Sequence, residues 1–213
     1  MAAAAAIESE FHLKIRLRNH ANVPTATLME SERMATLIFR EAGVSTEWHD
    51  CRVTPEKSDL VCDEPAGPAE VSIEVVPSET LRRRGLQRET LGAAMLPAEL
   101  TKAFASEGLV CASCVKDLVV SHGREVEIEQ LNSAVLGSVI AHELGHLLGV
   151  RNHGAIGVMH TPWSSQELTM AQQGRLLFAS GEKRIIQAQV RMRQIAERES
   201  SPSRELLTSG LRR

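Results

Sequence analysis

The chain has 213 residues, enough for one domain with a substantial core and hardly enough for two. Hydrophobic residues make up 43% and charged residues 24%, the balance of a globular and not a disordered protein. Lys and Arg number 24 against 27 Asp and Glu, for a net charge of −3; with 3% aromatics and no Tyr, neither a basic footprint for nucleic acid nor a base-stacking platform is expected.

No apolar run reaches the roughly 18 residues that a membrane span needs. Met1 to Ala6 is an alanine run without a basic n-region, so residues 1–10 read as a disordered leader or cloning remnant and not as a signal peptide. Phe11, Leu13, Ile15 and Leu17 alternate with polar residues, which predicts a half-buried strand. After a turn at 19–24, Leu28, Met34, Leu37, Ile38 and Phe39 recur at helical spacing over 25–42, and Gly43 stops that helix. A second strand is predicted over 44–51 with Trp48 as its anchor, followed by a Pro- and Gly-containing surface loop over 52–69. Val71 to Val76 is a third strand. The charged stretch from Pro77 to Thr90, with Arg82, Arg83 and Arg84 in a row, reads as a solvated loop. Leu91 to Leu96, closed by Pro97, suits an edge strand near a cleft, and the apolar run 109–120 reads as a fifth strand.

The strongest helical signal covers 130–148, where Leu131, Val135, Val139, His142 and His146 fall near one stripe and Gly149 ends it. Two further helices follow. Ser164 with Glu167 forms a capping box for the first, and Ser180 is the N-cap of the second, which runs to about Ala196. The folded domain is expected over 11–198, with 199–213 as a polar tail. One sheet flanked by helices accounts for this order of elements.

Cys51 and Cys62 bracket a polar loop and suit a disulfide in an oxidising compartment, or two free thiols in a reducing one. The bridged form points to an extracytoplasmic or secreted location. Cys111 and Cys114 have redox-motif spacing but sit in the predicted fifth strand, where residues three apart face opposite ways. They are therefore read as buried structural cysteines, and a four-Cys zinc site is disfavoured because only one pair has knuckle spacing.

His142 and His146 stand four apart on a helix, so both imidazoles reach a single ion from one face. Glu143 lies beside the first histidine and approaches the ion's solvent without taking a ligand position. Zinc lowers the pKa of bound water to about 7, within reach of a carboxylate base. A catalytic zinc needs a third protein ligand and an open position. His153, His160 and Glu167 are the candidates, with His153 first because it follows the turn at Gly149 closely enough to fold back beneath the ion. His12, His20, His49 and His122 lack such a context.

The run His142-Glu143-Leu144-Gly145-His146-Leu147-Leu148-Gly149, then His153, then Gly157-Val158-Met159, resembles the metzincin clan of zinc metallopeptidases, in a matrixin-like or short bacterial form. The clan's third-ligand position falls on Asn152, so a histidine ligand at 153 requires a loop one residue longer. The resemblance implies an α+β, α/β-like domain: a twisted, mostly parallel five-stranded sheet with an active-site helix and C-terminal helices. It also implies one catalytic Zn2+ held by His142, His146 and His153, and a methionine turn at Met159. The implied reaction is peptide-bond hydrolysis by metal-activated water with Glu143 as general base, on a peptide or protein substrate bound in extended form along Leu91–Leu96. Some members carry a Tyr after the methionine turn; here His160 follows Met159 and stands as the residue for oxyanion support. Two alternatives stay open: a zinc-binding domain with weak or no activity, and a zinc hydrolase with Glu167 as third ligand. Oligomeric state is not readable from the sequence.

Overall fold

Alternation of apolar side chains builds the centre of the molecule. In β1 (Phe11–Asn19) Leu13, Ile15 and Leu17 are wholly buried, as the period of two requires for one face of a sheet. The computed structural model describes residues 10–51, 62, 64–87, 89–95, 107–122 and 128–200. β1 pairs in parallel with β2 (Val44–Asp50) on one side and β3 (Glu70–Val76) on the other. β5 (Glu107–Cys111) continues the parallel set beside β3, and β4 (Gly92–Met95) closes it as an antiparallel edge. The order β2-β1-β3-β5-β4 makes a five-stranded, mostly parallel sheet.

Six helices accompany it among the described residues: α1 (Thr25–Glu41), α2 (Ser78–Arg83), α3 (Ala112–His122), α4 (Ile128–Leu147), α5 (Ser165–Gln172) and α6 (Ser180–Ser200). The α/β architecture agrees with the expectation from sequence. α1 and α4 cross closely, and Gly137 makes that possible: a Cβ there would meet the Ser31 carbonyl oxygen at 2.3 Å and the Met34 Cβ at 2.8 Å. The contact sets the position of α4, which carries the histidine pair.

Three expectations need correction. The run 109–120 is not one strand. It is β5 to Cys111 and then α3, because Val115 and Val119, four apart, bury together on a helix face. That junction also brings Cys111 and Cys114 together as a disulfide, with Cα atoms 5.3 Å apart, where a continuous strand would have splayed them. The stretch 77–90 is not all loop. Ser78–Arg83 is helical, with Leu81 buried beside Leu109 and Cys111, while Arg82, Arg83 and Arg84 are exposed as read.

α4 also departs from the one-stripe pattern, being buried on every side through most of its length. Such a helix is an interior one, which periodicity alone cannot distinguish from a surface helix that has one strong stripe. Ser164 caps α5 with the expected box, and α6 continues to Ser200, beyond the predicted end at 196. Cys51 and Cys62 are also bridged, with Cα atoms 5.5 Å apart. Both pairs are compatible with an oxidising, extracytoplasmic location. No described helix is long and apolar enough to cross a membrane. The readings of 1–9, 52–61, 63, 96–97 and 201–213 fall outside the described residues.

Candidate metal centre

α4 delivers His142 and His146 one turn apart, and the chain then turns sharply at Gly149, whose φ of +90° is open to glycine at little cost. The turn returns the chain beneath the helix. Two carbonyls on that return fix the rings: the His142 Nδ1–H donates to the Val158 oxygen at 2.8 Å, and the His146 Nδ1–H donates to the Val150 oxygen at 2.6 Å. A carbonyl only accepts, so each Nδ1 carries the proton and each Nε2 keeps a lone pair. Those two lone pairs converge, with His142 Nε2 and His146 Nε2 3.1 Å apart, and His153 brings its own Nε2 to 3.3 Å from that of His146.

Two lone pairs cannot hydrogen-bond to each other, so the convergence fits a shared cation. The three ligand atoms lie within 4.8 Å of one another, and among the described residues no other group of His, Cys, Asp or Glu comes together in this way. Burial drives the His142 pKa down to about 4 and lowers that of His146, so both are neutral, as ligation requires, at pH 7. Three imidazoles with room for solvent are a donor set suited to zinc.

Glu143 sits next to His142 and is 4% exposed. Its Oε2 is buried with no hydrogen-bond partner, and burial pushes its pKa up to about 8. An orphaned carboxyl of this kind is costly unless a proton, a cation or a solvent molecule answers it. β4 approaches Glu143 so closely that a Cβ at position 92 would stand 2.5 Å from Oε1, so any side chain there would displace the carboxyl. Glu143, His142 and His153 line a cleft of about 520 Å³ whose apolar walls include Leu91, Leu118 and Trp163.

The other candidates lie around this group. Met159 is fully buried, and its sulfur comes within 2.8 Å of where a Cβ on Gly145 would stand, so it packs beneath the ligand helix. Asn152 is exposed and outside the cluster. Glu167 accepts from the Ser164 N–H at 2.8 Å and stands 3.3 Å from His160 Nδ1, so the two sit together at the cap of α5 and neither belongs to the three-histidine group. His12 and His49 flank Glu47, His20 pairs with Glu74, and His122 bonds to Ser121, all on other surfaces. The Val150 and Val158 carbonyls carry no signature in the sequence, because any residue supplies one. Trp163, one of two Trp in the chain, was the readable sign of the cleft wall that sequence reasoning passed over.

No protein-family model and no curated protein matches this sequence. Solved structures do. A zinc-dependent peptidase from Methanocorpusculum labreanum superposes with a TM-score of 0.50 at 15% identity, over 81% of this chain and 99% of that one. An archaemetzincin from Methanopyrus kandleri gives a TM-score of 0.48 at 13% identity, over 87% and 99%. At 15% identity the likeness to the M. labreanum structure is one of fold, and it extends over nearly the whole of that chain.

Proposed function

We propose that this protein is a zinc-dependent metallopeptidase of metzincin type that cleaves peptide bonds within extended substrates. The observation that carries the reading is the pairing of three convergent Nε2 atoms, two of them fixed as lone-pair donors, with an orphaned buried carboxyl, at one end of an apolar cleft. The name of the M. labreanum neighbour, a zinc-dependent peptidase, supports it.

In this reading His142, His146 and His153 hold the ion, and Met159 supports the helix from below as the methionine turn does in that clan. When bound, zinc supplies a Lewis acid that acidifies water, polarises a substrate carbonyl and, as a dication, favours the ionised form of a neighbouring carboxyl. Glu143 takes the proton of the attacking water and returns it to the departing amine. β4, the edge strand among the described residues, offers its outer main-chain groups along the cleft, and a substrate laid on it as an added strand would bring its scissile bond past Glu143. His160, directly after Met159 and 3.3 Å from Glu167, is in this reading the residue for oxyanion support.

The test is the zinc-loaded protein against a quenched-fluorescence peptide library, with zinc stoichiometry measured alongside. Glu143→Ala is expected to keep one zinc and to lose activity by about 10²–10⁴-fold. His153→Ala should weaken zinc binding by more than the roughly 10–100-fold that loss of an outer partner costs, and Glu167→Ala should leave it unchanged. Full activity in Glu143→Ala would overturn the assignment, and one bound zinc with no cleavage of any peptide would reduce the protein to a zinc-binding domain.

A further inference from the structure

The Cys111–Cys114 pair belongs to no part of the reaction above, yet its surroundings are built asymmetrically. Cys111 closes β5 and is wholly buried beside Val76, Leu81 and Leu109. Cys114 stands in the first turn of α3 and is partly exposed, lining a groove of about 360 Å³ with Leu91, Asp117 and Leu118. Leu91 and Leu118 also wall the metal cleft, so the groove adjoins it. One sulfur can be reached and the other cannot. The unreachable sulfur is also the one provided for: the Cys114 N–H donates to Cys111 Sγ at 3.1 Å, and the Ser113 hydroxyl lies 3.6 Å from it. A thiolate at Cys111 would therefore be stabilised by an N–H and by the positive end of α3, and a better-stabilised thiolate leaves faster.

We propose that Cys111–Cys114 is a thiol–disulfide exchange site that takes an external thiol through the groove beside the cleft. The incoming thiolate attacks Cys114 Sγ. A new bond forms between the two sulfurs, the Cys111–Cys114 bond breaks, and Cys111 departs with the electron pair as a thiolate. A second thiolate then attacks the external sulfur of the mixed disulfide, releasing Cys114. Two external thiols are oxidised to one disulfide, the cysteine pair gains two electrons, and the protons lost by the external thiols reappear, through solvent, on whichever cysteine is protonated. The site depends on no property of the metal centre.

The test uses the zinc-loaded native protein in reduced glutathione, quenched in acid and mapped by peptide mass. The expected result is free thiols at 111 and 114, with a glutathione adduct at 114 as the intermediate. In oxidised glutathione, where the lone cysteine thiolate attacks one glutathione sulfur and releases the other as a thiolate, Cys111→Ser should take up an adduct on Cys114, and Cys114→Ser should acquire one on Cys111 at least tenfold more slowly. Circular dichroism of both variants checks that they fold. If the native pair stays oxidised in glutathione that reduces it in the denatured chain, or if both variants react at the same rate, the proposal is overturned.

Discussion

Glu143 is the residue whose surroundings ask most of it. In the zinc-free protein its folded pKa of about 8 exceeds its ordinary value of 4.5, so between those values the folded form holds a proton that the unfolded chain has released. Stability contributed in this way falls as pH rises. His142 has the opposite sign: its folded pKa of about 4 lies below 6.5, so the unfolded chain takes up the proton first and stability rises between 4 and 6.5. The two slopes oppose each other below pH 6.5. From there Glu143 is left falling, joined as far as about 7 by Glu32, whose carboxyl burial and Asp50 push up to that value. The melting temperature of zinc-free protein should therefore drop between pH 6.5 and 8, and Glu143→Gln should flatten the upper part of that drop. A wild-type curve level from 7 to 8 would show that solvent already reaches the carboxyl. The histidine pair and Glu143 were legible as spacing on a helix. The carbonyls that orient the rings were not, since the return of the chain beneath α4 decides which ones they are.

α4 was predictable as a helix and not as an interior one. Its histidines look like the polar end of an amphipathic stripe, yet the element packs against α1, α3, α5 and the sheet edge together. Gly137 records this: in the sequence it is a helix weakener, and in the fold it is the point where α1 passes. Gly137→Val should overpack that crossing, costing about 1–3 kcal/mol. At about 2–4 °C per kcal/mol for a chain of this size, calorimetry should register several degrees; a shift of less than one degree would mean the helices part at no cost. The β5–α3 junction failed to appear for the reverse reason. A run such as Leu109-Val110-Cys111 followed by small residues fits strand and helix equally, and the four-residue spacing of Val115 and Val119 was the clue that separated them. β4, by contrast, was readable as a short run of small apolar residues closed by Pro97, which suits an edge strand or a strand near a cleft.

The parts are joined across the molecule by a guanidinium. Arg193 on α6 is 1% exposed and donates to the carbonyls of Pro68 and Glu70 at 3.1 Å each, and at 3.5 Å to that of Leu147, the residue after His146. Burial lowers its pKa to about 10, leaving it charged at neutral pH. Arg193→Ala leaves those oxygens without their donor, at about 1–3 kcal/mol, and should lower the melting temperature by roughly 2–12 °C. Unchanged melting would show that solvent substitutes for the side chain. Zinc acts over the same distance. At a thousand times its dissociation constant a ligand adds about 4 kcal/mol to folding, so zinc should raise the melting temperature of the wild type by roughly 8–16 °C. In His153→Ala, zinc at the same concentration should raise it far less. None of this long-range joinery shows in a sequence where Arg193 is one basic residue among many on a charged helix. It also sets an order of events in synthesis: residue 193 leaves the ribosome some forty positions after His153, so a nascent chain can present its three rings before it owns the clasp that steadies them, and the grip on an ion tightens only once that clasp is in place.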